Sequence, residues 1–279
     1  MTPGLFGLTI AATAAAACVL MGFTFMLARA SGRHRIVDTT WGIGLAVLPV
    51  VALAGSVGSG QQDRRILLAV ASVAWGARLA LFTGCRSRGQ EEDPRYRDLL
   101  RRAGAHKDRY ALTHIYLPQG LILWLATMPV QAGMLTARPA GAVTWIGATL
   151  WLAGFAFETI GDWQLARFRA RPRDKGAIME RGLWQYTRHP NYFGDACMWW
   201  GLFLAAYGGW PWLPGALAPL AMTFLLVRGT GQRLTEQRMA GRPGYAGYVA
   251  RTSGFFPLPQ AVVGVARHHG PFRSKSSSA

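Results

Sequence analysis

The chain has 279 residues, 51% of them hydrophobic and only 15% charged, with a formal net charge of +17. Soluble domains carry about 25% charged residues, and the apolar residues here fall in blocks of about twenty, the length that spans a bilayer core. An ordinary soluble domain is therefore excluded. The basic residues sit between the apolar blocks, which excludes a nucleic-acid surface as the origin of the charge.

In chain order, the apolar blocks predict seven transmembrane helices at 5–28, 39–58, 66–84, 114–136, 142–165, 193–208 and 211–229, an all-α polytopic membrane protein. The first block lacks a preceding charged segment, so it reads as a retained helix and not a cleaved signal. The loop 86–113 mixes both charges and predicts a short interfacial helix. The sixth span is short, with Gly194 and Asp195 at its start, and is expected to pack against neighbours. Residues 1–265 read as a single transmembrane domain, with the substrate side in the N-terminal half and a cofactor-binding half at 142–257. Residues 266–279 read as a disordered tail. Cys18, Cys85 and Cys197 show no metal-binding spacing and read as structural thiols.

The orientation follows from Lys and Arg. The segments 29–38, 86–113, 166–192 and 228–279 hold 26 of them, and the alternate loops hold three: Arg64, Arg65 and Arg138. Cytoplasmic loops carry the excess of basic residues. Seven spans with the N-terminus outside and the C-terminus in the cytoplasm satisfy every loop.

Four features carry possible chemistry. Glu158 and Asp162 are four apart, so they share a helix face at membrane depth, and Asp195 lies near the start of the sixth span. Intramembrane acids usually face a polar cavity, although an ion pair at the cytoplasmic boundary would also account for the first two. The stretch "RFRARPRDK" (167–175) places Arg171 before Pro172, which disfavours helix there. If extended, Arg167, Arg169, Arg171 and Arg173 would project together and could grip phosphates; ordinary positive-inside charge explains them equally. The segment "GLWQYTRHPNYFGDACMWW" (182–200) packs Arg188, His189, Asn191, Tyr192 and Asp195 into a loop-to-helix junction bent by Pro190 and Gly194. Finally, Glu236, Tyr245, Tyr248 and Arg251 lie on a segment that reads as cytoplasmic, where a membrane-surface helix is the plainer account.

These residues support a resemblance. From Glu158 to Pro257 the chain resembles the C-terminal half of the steroid 5-alpha-reductase and sterol-reductase superfamily. Arg188-His189-Pro190-Asn191-Tyr192-x-Gly194-Asp195 is the sharpest match. "VDTTWGIG" (37–44), "WGARLALF" (75–82) and "EDPRY" (92–96) extend the likeness to the uncharacterised bacterial membrane branch, which implies a bacterial inner membrane. Isoprenylcysteine carboxyl methyltransferases share the Arg-His-Pro core, the downstream Glu and the paired tyrosines. Asn191 with Asp195, the seven spans and the Arg row favour the reductases.

The resemblance implies an NADPH site on the cytoplasmic side. Asn191 and Asp195 would hold the nicotinamide carboxamide, with Asp162 and Tyr192 lining the same pocket. Arg171, Arg188, His189 and Arg251 would hold phosphates, and Glu236 and Tyr248 would complete the cofactor site. The Glu/Tyr pair that steroid reductases use on the substrate ketone is not found in the N-terminal half. Asp38, Tyr116 and Arg78 are the candidates for the proton-donating end, with Trp41 and Glu158 toward the substrate. The reading is an NADPH-dependent reductase of an activated carbon–carbon double bond in a lipophilic substrate. The alternative is an S-adenosylmethionine-dependent membrane methyltransferase. A non-enzymatic membrane transporter leaves the 188–195 cluster unexplained. Partners are expected to be the lipophilic substrate and membrane lipids.

Overall fold

A computed structural model describes residues 3–174, 176–208, 210–229 and 231–260; the predicted tail at 266–279 lies outside these. Every named element among them is helical. In order they are α1 (Pro3–Ser31), α2 (Ile36–Gly55), α3 (Gln62–Ser87), α4 (Pro94–Arg102), α5 (Lys107–Ala111), α6 (Leu117–Met134), α7 (Ala142–Arg169), α8 (Pro190–Ala205), α9 (Leu217–Val227), α10 (Gln232–Met239) and α11 (Tyr245–Arg251). The protein is an all-α polytopic membrane protein. Five runs among the described residues are long and apolar enough to cross a bilayer: α1, α2, α3, α7, and one that begins at Trp212 and carries α9.

The other two expected spans correspond to α6 and α8. At 16 residues, α8 is about 24 Å long, short of the roughly 30 Å bilayer core. As expected of so short a helix, it is packed in, with Ala196, Met198, Trp199, Leu202 and Phe203 buried. The interfacial helix expected in 86–113 is α4. Asp93 caps it by accepting from the Arg95 amide at 2.8 Å, and Pro94 sits where a missing N–H costs nothing. One expectation is corrected. The Arg row is not extended, because α7 runs on through Arg169 and residues 172–174 form a 3-10 turn. Pro172 restricts only the residue before it, and Arg167 and Arg169 are good helix formers.

Among the described residues the chain divides into two compact units, one within Met1–Trp151 and Trp199–Leu220, the other within Leu152–Met198 and Ala221–Ala279. The first is built on α2 and α3, which meet at paired glycines. A methyl group on Gly42 would lie 2.4 Å from the Ala80 amide nitrogen, and one on Gly76 would lie 2.4 Å from the Gly42 carbonyl. Helices this close exclude any larger residue at the crossing. Polar side chains tie the helices where lipid offers no hydrophobic gain. Thr13 donates to Gln131 at 2.7 Å between α1 and α6, and Thr24 meets Thr40 at 3.0 Å between α1 and α2.

Two of the three basic residues on the poorly charged side are also explained. Arg64 donates to the Arg138 and Pro139 carbonyls at 2.9 and 3.0 Å and to Thr144 at 3.1 Å. Arg65 donates to Ser56 and to the Leu53 carbonyl, both at 2.9 Å. They close helix ends and loops, so their position does not argue against an external face. Reporter fusions at Gly60 and Pro139 are expected to score external and a C-terminal fusion cytoplasmic. A cytoplasmic Pro139 with an external C-terminus would reverse the orientation.

Candidate functional site

In the second unit the site begins where the chain leaves α7. Gly182 takes a left-handed turn at φ 63°, which only glycine adopts cheaply. Gln164 of α7 fastens that turn by accepting from the Leu183 amide at 3.0 Å. Trp184 donates its indole N–H to the Gly161 carbonyl at 3.1 Å, and Tyr248 of α11 donates to the Trp184 carbonyl at 2.6 Å. The stretch after α11 runs beside the motif. Thr187 pairs with Ser253 as a parallel bridge, and the Arg188 amide donates to the Ser253 carbonyl at 2.9 Å.

Arg188 and His189 converge on Glu236 of α10. Arg188 donates through Nε and Nη2 to Glu236 Oε1, both at 2.9 Å, and through Nη1 to the Thr252 carbonyl at 2.5 Å. His189 Nε2 lies 3.0 Å from the same Oε1 and its ring stacks on Tyr192, 5.2 Å between centroids. In place of an open phosphate grip, Arg188 and His189 form a brace with Glu236 that joins the start of α8 to α10 and the segment after α11. Arg251 is likewise paired, with Glu180.

Pro190 opens α8, and Asn191 donates through Nδ2 to Asp162 Oδ1 at 3.2 Å. The amide's NH2 group faces Asp162, which accepts from it. Its carbonyl oxygen then points away, buried and without a hydrogen-bond partner. Asp195 is half-buried one turn further along α8, and Tyr192 meets Thr235 at 3.3 Å. Glu158 and Asp162 are both buried on α7. Close backbone approach sets this geometry. A methyl group on Gly194 would lie 2.5 Å from both the Glu158 amide and the Gly154 carbonyl, and one on Gly161 would lie 3.2 Å from Pro190. The structure therefore brings together Asp162, Arg188, His189, Asn191, Tyr192 and Glu236. Arg171 lies elsewhere in this unit, in a cleft of about 240 Å³ that it lines with Arg167, Arg181 and Trp163.

The brace has a pH signature. Burial lowers the His189 pKa below its ordinary 6.5, against the pull of Glu236. Burial alone would raise Glu236, but the hydrogen bonds from His189 and Arg188 carry it down to about 2. Both folded pKa values lie below the unfolded ones, so the stability they contribute is present above the unfolded values and lost as pH falls. A melting curve in detergent is expected to hold from pH 8 to about 6.5, then to fall as the unfolded histidines take up protons. A second loss is expected below about 4.5, where unfolded glutamates protonate. His34, also lowered by burial, adds to the first step. The His189→Gln variant is expected to flatten the first step; an unchanged profile would remove His189 from the account.

In the first unit, Asp38 at the start of α2 is paired with Tyr96 of α4, whose hydroxyl donates to Oδ1 at 2.7 Å. Arg95 holds the other oxygen at 3.1 Å. Burial and then Asp38 push the Tyr96 pKa well above the phenol range, so its proton is retained. Trp41 donates to Gln119 at 2.7 Å. Tyr116 is fully buried on a π-turn (Leu112–Tyr116) before α6, with its hydroxyl 3.0 Å from His34 Nδ1. Glu92 accepts from the backbone amides of His34 and Arg35. Arg78 of α3 lies over the Phe82 ring. Tyr96 escaped the sequence reading although it ends "EDPRY". The signal was there: Asp93-Pro94 opens a helix and puts Tyr96 in its first turn.

From Asp38 to Arg251, every candidate residue falls inside residues 24–252. That is the stretch matched by a family model described as "Protein of unknown function (DUF1295)". The chain belongs to the DUF1295 family. This family is steroid 5-alpha-reductase-like, in line with the resemblance read from the 188–195 motif. Among curated proteins, the uncharacterised protein C594.04c of Schizosaccharomyces pombe is 28% identical, over 79% of this chain and 72% of the relative. No solved structure matches.

Proposed function

We propose that this DUF1295 protein is an NADPH-dependent membrane reductase that saturates an activated carbon–carbon double bond in a lipophilic substrate. The Asn191 amide carries the reading. Its NH2 group is committed to Asp162, and its buried carbonyl oxygen has no partner. A buried acceptor left unmade costs about 1–3 kcal/mol, and a carboxamide NH2 is the donor that would repay it. Asp162, Asp195 and Tyr192 are the other candidates to hold the carboxamide, on the side that reads as cytoplasmic, in what reads as a bacterial inner membrane. Bound there, NADPH would supply the hydride.

The protein's own groups do the rest. The brace of Arg188, His189 and Glu236 fixes the start of α8, so that Asn191 and Asp195 keep their positions. With Tyr248 bonded to Trp184 and Arg251 to Glu180, these residues act as walls of the site. In the first unit, Asp38, held by Tyr96 and Arg95, is the candidate for the group that polarises the acceptor and supplies its proton. Trp41 in the first unit and Glu158 in the second are the candidate substrate contacts, and Arg78 and Tyr116 are the further donor candidates of the first unit.

The methyltransferase alternative draws on Arg188, His189 and Glu236, which both groups of proteins share. Asn191 separates the two readings. The Asn191→Ala variant is expected to weaken NADPH at least about tenfold, the loss of one or more hydrogen bonds, and to weaken reduced nicotinamide mononucleotide equally. Isothermal titration in detergent reads both. Binding as tight as the parent's would remove the nicotinamide from this site.

A further inference from the structure

Two groups of arginines stand out in the second unit. Arg188 and Arg251 are paired with Glu236 and Glu180. Arg167, Arg171 and Arg181 have no carboxylate partner among the described residues, yet all three line one cleft of about 240 Å³. No acid lines it. Its other walls include Trp163, Phe168 and Met179.

The cleft is built, not incidental. Residues 163, 167 and 171 recur every fourth position along α7 and the end that follows it, so they share a face. Arg181 is brought to that face by the left-handed Gly182 turn. Gln164 locks the turn, since a methyl group on Gly182 would lie 2.3 Å from its amide nitrogen. None of Asp162, Asn191, Tyr192 and Asp195 lines the cleft. Three unpaired guanidinium groups call for a phosphate, whose oxygens match their forks.

The apolar walls decide the source of that phosphate. At 28 residues α7 is about 42 Å long, enough to carry its last turns into the headgroup layer. Trp163 is 56% exposed and Arg167 stacks over its ring, 5.4 Å from the centroid. An exposed tryptophan beside arginines at a helix end is the pattern of a membrane interface, with the ring against acyl chains and the cations at headgroup level. We propose that this cleft binds the phosphate headgroup of an anionic membrane lipid, separately from the nicotinamide site.

The test uses the purified full chain in a neutral detergent, with melting temperature as the readout. The probes are dihexanoyl phosphatidylglycerol, dihexanoyl phosphatidylcholine, inorganic phosphate and NADPH. The phosphatidylglycerol is expected to stabilise the parent, and the other lipid and phosphate to do so far less. The R167Q/R171Q/R181Q variant is expected to bind phosphatidylglycerol about a hundredfold more weakly, from three basic groups near the surface. Single Arg181→Gln should lose a part, which keeps the test open if the triple variant misfolds. Equal stabilisation by both lipids would overturn the proposal in favour of general apolar contact. Full stabilisation by phosphate alone would make this a free-anion site. An NADPH shift lost in the variants while the phosphatidylglycerol shift survives would hand the cleft to the cofactor. If NADPH stabilises neither parent nor variants but phosphatidylglycerol behaves as expected, the lipid site stands and the reductase reading fails.

Discussion

Glu236→Ala is expected to destabilise the protein by about 3 kcal/mol or more, the scale set by breaking one side of a buried ion pair. The reason is the company Glu236 keeps. Arg188 is only 9% exposed and delivers two of its donors to Glu236 Oε1, with His189 on the same oxygen. Removing the carboxylate leaves a guanidinium buried among carbonyls, with two donors unmet. Glu236→Gln keeps an acceptor oxygen and is expected to lose less, about half. Equilibrium unfolding in mixed micelles would read both. If Glu236→Ala melts like the parent, the brace is not what holds α8, α10 and the segment after α11 together.

Gly194→Ala is expected to cost about 1–3 kcal/mol, the usual range for overpacking, and to abolish nicotinamide binding as well. The added methyl group would meet the Glu158 amide and the Gly154 carbonyl at 2.5 Å. Both are backbone atoms that no rotamer change can move. Relief requires α8 to shift from α7, and the Asn191–Asp162 bond spans those two helices at 3.2 Å. Gly22→Ala is the control, because nothing lies within 4 Å of the added atom. It should leave both stability and binding unchanged. A Gly194→Ala protein that binds NADPH normally would show that the α7–α8 distance does not set the site.

The helices were legible because a bilayer demands apolar runs of a stated length, and α1, α2, α3 and α7 end within a few residues of the expected spans. The cluster at 188–195 was legible because polar types crowd a bend that a structural turn would not need. Pairings between distant residues were not. Tyr96 meets Asp38 across 58 positions, and no local rule links a loop helix to the start of α2. The same blindness applied to Arg188. Sequence shows a cation next to a helix start, but only the fold brings Glu236 under it and turns a phosphate grip into a brace. Glycines at 147, 154 and 161 went unread as a seven-residue repeat, because their meaning lies in what α8 presses against them.

Cofactor choice tests the central claim most directly. NADPH carries about four negative charges and S-adenosylmethionine is cationic at sulfur. The 166–192 loop holds seven Lys and Arg and two acids, Asp174 and Glu180, so its potential attracts the first and repels the second. Binding to the folded state alone raises stability by about 2.7 kcal/mol at a hundredfold excess over Kd. Purified protein is therefore expected to melt at higher temperature with NADPH and unchanged with S-adenosylmethionine, and the NADPH shift should shrink in Asn191→Ala and in high salt. A clear shift with S-adenosylmethionine and none with NADPH would contradict the reductase and establish the methyltransferase in its place.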